Sequence, residues 1–215
     1  MNSRVAAIVF RLFFAALALV AVGVQFTTVT LVKGHSIPNF FSYFTNLSNI
    51  FISIVFIVSA VSLARSREPR AVDTAIRGAA VVYIAFVGLV FNTLLRDAEL
   101  GDLIPWVNAV VHFVLPIVAV IDWLIWPPRR PLAFRLTFAW MIFPALYVAY
   151  SLIRGAAIGF YPYPFFNPAV SGGYPGVAAY CAIMLVGFFV LATLVWWLGN
   201  LGHRRIASGL PTLRD

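Results

Sequence analysis

The run Ile104-Pro-Trp-Val-Asn-Ala-Val-Val-His-Phe-Val-Leu-Pro-Ile-Val-Ala-Val-Ile-Asp-Trp-Leu-Ile-Trp126 decides the architecture. Apart from Asn108, His112 and Asp122 it is apolar throughout. As a helix rising ~1.5 Å per residue it crosses the ~30 Å of hydrocarbon in a bilayer. Working outward, runs of the same kind recur, giving six expected spans near 5–32, 40–63, 75–95, 104–126, 134–153 and 177–198. Breakers and charges separate them.

Composition agrees. Of 215 residues 62% are hydrophobic and only 10% charged, with a mean hydropathy of +0.96. A soluble domain of this length needs more charge on its surface. The sequence therefore predicts an all-α integral membrane protein. It reads as a single bundle of six transmembrane helices, one domain over 1–215, without an internal repeat. The net charge of +8 does not indicate nucleic acid, because the basic residues collect in short loops between apolar runs.

Those loops orient the chain. Arg4, then Arg65, Arg67, Arg70 and Arg77, then Arg129, Arg130 and Arg135, then Arg204, Arg205 and Arg214 alternate with loops holding only Lys33, Arg96 and Arg154. By the positive-inside rule both termini are cytoplasmic. Arg11 is expected to snorkel toward the inner interface. Trp123, Trp126, Trp196 and Trp197 are expected to form an aromatic belt there. An uncleaved first span is favoured over a signal peptide because its apolar run exceeds a typical h-region. Arginine-rich, lysine-poor composition suggests a bacterial plasma membrane. The one cysteine, Cys181, excludes an internal disulfide and reads as packing.

Polar residues concentrate in the outer half of this bundle. Ser42, Thr45, Asn49 and Ser53 fall at helical steps in the second span, with Asn46 beside them. Asn108, His112 and Pro116 fall at steps of four in the fourth. Gln25, Thr27 and Thr28 end the first span on this side, and Asn92 and Thr93 the third. Helix rise places Thr45 about 8 Å and His112 about 12 Å below the outer ends of their spans, so the two can meet. The inner half looks nearly featureless. Asp122, ~15 Å deeper than His112, reads as an ion-pair or capping residue near Arg129 and Arg130.

Small polar residues can simply join membrane helices. A histidine in hydrocarbon must be satisfied, either by a structural hydrogen bond or in catalysis, where it is the usual base near neutral pH. Asn108 could orient that imidazole or touch substrate. Asn46 and Asn49 could donate to an oxyanion or only to neighbouring helices. Ser42, Gln25 and Asn92 are secondary pocket candidates. His35 and His203 fall in loops on opposite sides, which excludes a transmembrane bis-histidine haem. No cofactor and no metal are expected. The loop Gly159-Phe-Tyr-Pro-Tyr-Pro-Phe-Phe-Asn-Pro168 is too apolar for solvent and too rich in proline for a helix; it reads as an interfacial anchor, a lid or an acyl-chain entrance.

Phe-Thr-Asn-Leu-Ser-Asn at 44–49 and Asn-xxx-His-xxx-Pro at 108–116 resemble the androgen-induced-gene family of multi-pass membrane proteins. The resemblance implies an intramembrane hydrolase of fatty-acid esters, with Thr45 as nucleophile and His112 as its base. An acyl transferase would use the same pair. Membrane lipids or fatty-acid esters are then the expected partners, and the sequence says nothing of oligomeric state. The competing class is a small transporter, or a non-catalytic membrane subunit whose polar layer binds a ligand or glues helices. A transporter would normally carry ionisable groups along a path to both sides.

Overall fold

The computed structural model describes residues 3–96, 98 and 102–208, and among these the regular structure is entirely helical. Six helices are long and apolar enough to cross a membrane: α1 (Ser3–Leu31), α2 (Phe44–Ala64), α3 (Ala71–Leu95), α4 (Pro105–Ile125), α5 (Arg135–Ile158) and α6 (Gly173–Ala207). Arg214, used above to orient the chain, lies outside the described residues.

α3 is the central post, touching α2, α4, α5 and α6. Its run from Ala79 to Ile84 is buried on every side, as expected of a helix that is apolar all round. α1 lies along α2 through Ala7, Ala15, Ala18 and Ala21, a small-residue seam that lets backbones approach. α5 and α6 pair at the periphery, with Leu146, Ile153, Ile183 and Val186 turned outward as a lipid-facing surface needs. Arg4 binds the Ala64 carbonyl, Trp126 binds Ser3, and Asn200 on α6 binds the Leu132 backbone. These contacts gather both ends of the described chain at one pole, the basic end.

Several boundaries differ from expectation for local reasons. α2 begins at Phe44, not Phe40. Ser36 caps a separate turn, Ile37–Phe40, with Pro38 in its first positions, and the chain breaks before re-entering a helix at Tyr43. α5 runs on to Ile158 and stops where Gly159 takes a left-handed φ of 72°, so Arg154 belongs to a helix and not to a loop. α6 likewise takes in His203.

The basic half of the bundle is not featureless. Arg11 is 4% exposed and does not snorkel. It stands four residues from both Ala7 and Ala15, on the buried face, and donates to both Asp122 oxygens at 2.7 and 3.3 Å. Asp122 is fully buried and also accepts from Arg77 Nε at 3.1 Å. Its partners are thus Arg11 and Arg77, while Arg129 pairs with Glu68. Trp123 is also no belt residue: it is buried, donates to the Val195 carbonyl at 3.0 Å and lies beneath the Arg77 guanidinium.

Candidate functional site

Thr45 owes its position to the break before α2. As the second residue of that helix it has no helical carbonyl four residues back to bond. The other hydroxyls of the polar layer do: Ser53 donates to Asn49, Thr27 to Gly23, Thr28 to Val24 and Thr93 to Leu89. Thr45 Oγ1 instead faces across the bundle, 3.4 Å from His112 Nε2 and 3.2 Å from the Tyr163 hydroxyl.

His112 sits in a π-helical turn, Val110–Val114, followed by Pro116. Pro116 has no N–H to give the His112 carbonyl four residues earlier. The Asn92 amide, which also binds the Gly88 carbonyl at 2.7 Å, lies 3.5 Å from that oxygen. π-turns inside α-helices are frequent at functional sites because they re-aim a side chain. Here the imidazole is clamped. Phe91 stacks on it at 3.8 Å, and Nδ1 lies 2.7 Å from Asn108 Oδ1. With Nδ1–H donated to Asn108, Nε2 keeps its lone pair toward Thr45.

Tyr163 completes the cluster. The Thr45 backbone N–H donates to its oxygen at 3.2 Å, and the Thr45 and Tyr163 hydroxyls lie 3.2 Å apart, where either can donate to the other. Burial pushes the phenol above its ordinary range, which keeps it a neutral donor. Tyr147 serves the neighbouring position, accepting from the Phe44 N–H at 3.3 Å and donating to the Ser42 carbonyl at 2.8 Å. Two N–H groups that no helix end can satisfy internally are thereby held by phenols.

The remaining candidates divide. Asn46 donates to the Phe40 carbonyl at 2.8 Å, and Asn49 to the Thr45 carbonyl at 2.9 Å with Val111 O at 3.4 Å. Both amides are committed to main chain, and the buried Asn49 Oδ1 has no partner among the described residues. Ser42 binds Pro38 and Tyr150, away from the imidazole. Gln25 ties α1 to the start of α4 through Asp102 O and the Ile104 N–H. In the 159–168 loop Tyr163, Phe165 and Phe166 are buried against the bundle.

Two chambers meet at Thr45. One of 330 Å³ is almost wholly apolar, walled by α3, α5, α6 and the loop, with Phe86, Met141, Cys181 and Phe188 among its lining. The other, of 210 Å³, is more polar than the first and lies toward the end opposite the basic one, with His112, Asn108, Asn46, Gln25 and Asp102 in its wall. Lys33 pairs with Asp102 at 2.8 Å at its mouth and holds that carboxyl below its usual range. Comparison of the chain with protein-family models, curated proteins and solved structures finds no match.

Proposed function

We propose that this chain is an intramembrane lipid-ester hydrolase or acyl transferase, akin to the androgen-induced-gene family, with Thr45 as nucleophile and His112 as general base. The observation carrying the reading is the Asn108–His112–Thr45 relay at 2.7 and 3.4 Å, set where an apolar chamber meets a polar one. A threonine hydroxyl is a weak nucleophile and needs a base within reach. At 3.4 Å the contact is long for an O–H···N bond, and it must close slightly for the proton to pass.

In this reading His112 Nε2 takes the Thr45 proton as Oγ1 attacks the ester carbonyl. The C–O bond to the alcohol breaks, and the imidazolium returns its proton to the departing alkoxide. Water, or a second alcohol, then releases the acyl group by the same route. In this reading the Tyr163 O–H and the positive end of the α2 helix would steady the oxyanion. The apolar chamber takes the acyl chain, and the polar one receives alcohol and water. The basic end is cytoplasmic by the positive-inside rule, which puts the site in the outer half of a plasma membrane, bacterial by composition.

The buried Arg11–Asp122–Arg77 group speaks for the transport alternative, since ionisable residues then occur in both halves. Against it stands the apolar layer between them, where Ile52, Phe56, Ile84 and Leu115 are each 0% exposed. The test is covalent labelling of the detergent-solubilised protein with fluorophosphonates of short and long alkyl tail. Wild type is expected to label, and Thr45→Ala and His112→Ala, at matched thermal unfolding, are not. Folded wild type that resists every probe would falsify the proposal.

A further inference from the structure

A cavity of 530 Å³ opens at the basic end, between α1, α2, α3 and the Trp126–Arg129 segment, remote from Thr45. Arg4, Arg11, Arg67, Arg77 and Arg129 line it. Nearby carboxylates do not balance them. Asp122 is shared by Arg11 and Arg77, Glu68 pairs with Arg129, and Asp73 accepts from the Arg70 backbone N–H at the start of α3. The Arg67 guanidinium has no hydrogen-bond or ion-pair partner among the described residues. The five lining arginines outnumber Asp73, Asp122 and Glu68, the carboxylates beside them, so the cavity carries a net positive charge that an anion would offset.

The cavity is also two-faced. Its deeper wall is apolar, built by Ile54, Val58 and Ile76, which are 51%, 56% and 42% exposed and so lie open to lipid. Ser59, Ser62 and Thr74 add hydroxyls among the arginines. A soluble phosphate would use only the cationic rim. A ligand with an anionic head and hydrocarbon tails uses both faces.

We propose that this cavity binds the phosphate diester of an anionic phospholipid from the leaflet at the basic end, its acyl chains lying along Ile54 and Val58. Arginine forks bind phosphate oxygens in pairs, and basic pockets between transmembrane helices are suited to such headgroups. The site does not depend on the chemistry assigned to Thr45.

The test is native mass spectrometry of delipidated, detergent-purified protein titrated with phosphatidylglycerol or with phosphatidylethanolamine. The Arg4→Gln/Arg67→Gln double variant changes only the rim, leaving Arg11 and Arg77 with Asp122. Arg205→Gln removes a charge at the same end outside the cavity. Phosphatidylglycerol should be retained selectively by wild type and Arg205→Gln, and bound about tenfold or more weakly by the double variant. Equal retention of both lipids, or equal losses in Arg205→Gln and the double variant, would mean diffuse surface charge and overturn the site. Thermal stabilisation by inorganic phosphate or pyrophosphate without selective lipid retention would overturn the lipid assignment in favour of a soluble anion.

Discussion

Gly88 and Pro116 press against one another where α3 packs on α4, beside the His112 carbonyl. A Cβ built on Gly88 would come 2.8 Å from Pro116 Cβ and 3.3 Å from the His112 carbonyl oxygen. The carbonyl lacks its usual helical donor because Pro116 has none, and Asn92, one turn beyond Gly88, reaches toward it. A single crossing therefore carries a close approach, the π-turn with its proline and the amide that faces the carbonyl.

Gly88→Ala should separate the two helices and lift His112 from Thr45. We expect a loss of about 1–3 kcal/mol in unfolding free energy, the usual cost of overpacking. Fluorophosphonate labelling should fall much further than stability does. Equal labelling rates in wild type and variant would show that the crossing does not position the imidazole.

In the proposed mechanism Asn108 acts through the tautomer of His112, since it touches Nδ1 and not the hydroxyl. Asn108→Leu should slow labelling by about 10²-fold, the scale of a misplaced catalytic group. Asn108→Asp, which still accepts from Nδ1–H, should recover most of that rate. Failure of the aspartate to rescue would argue that Asn108 serves packing alone.

Tyr163 supplies a pH signature. Its phenol is raised in the folded protein by burial. Its stabilising contribution is therefore fully present below the unfolded tyrosine value of ~10, and is lost as pH rises through the higher folded value. Thermal unfolding between pH 9 and 11.5 should fall more steeply for wild type than for Tyr163→Phe. Parallel curves would contradict the buried, neutral phenol.

Asp122→Ala strands the buried Arg11 guanidinium and the half-buried Arg77 one, and should cost about 3–5 kcal/mol, as broken interior ion pairs do. Arg11→Met leaves Asp122 paired with Arg77 and should cost clearly less. Chemical denaturation in mild detergent reads both, and similar losses would mean that Arg77 does not hold the carboxylate.

How much of this is legible in the chain follows from what each feature depends on. The six spans are readable because lipid demands roughly 20 apolar residues whatever the packing. The meeting of Thr45 with His112 was within reach of depth arithmetic. The break at Phe41–Tyr43 was not, since Phe-Ser-Tyr continues the apolar run and only Pro38 hints at a separate turn. Arg11 did leave a signal: its spacing from Ala7 and Ala15 puts it on the small-residue face, the one that packs inward. Tyr163 left almost none, because an aromatic between two prolines suits an interfacial loop as well as an infolded one.

The infolded loop has a consequence for how the site comes into being. Thr45, Asn108 and His112 are all translated before α5 emerges, while Tyr147 and Tyr163 follow. Membrane chains are made from the N-terminus, and earlier elements can associate while later ones are still on the ribosome. A nascent chain ending after α4 thus holds the hydroxyl, the imidazole and its amide, but neither phenol at the start of α2 and no closed apolar chamber. The surroundings of Thr45 are completed only by the last third of the polypeptide.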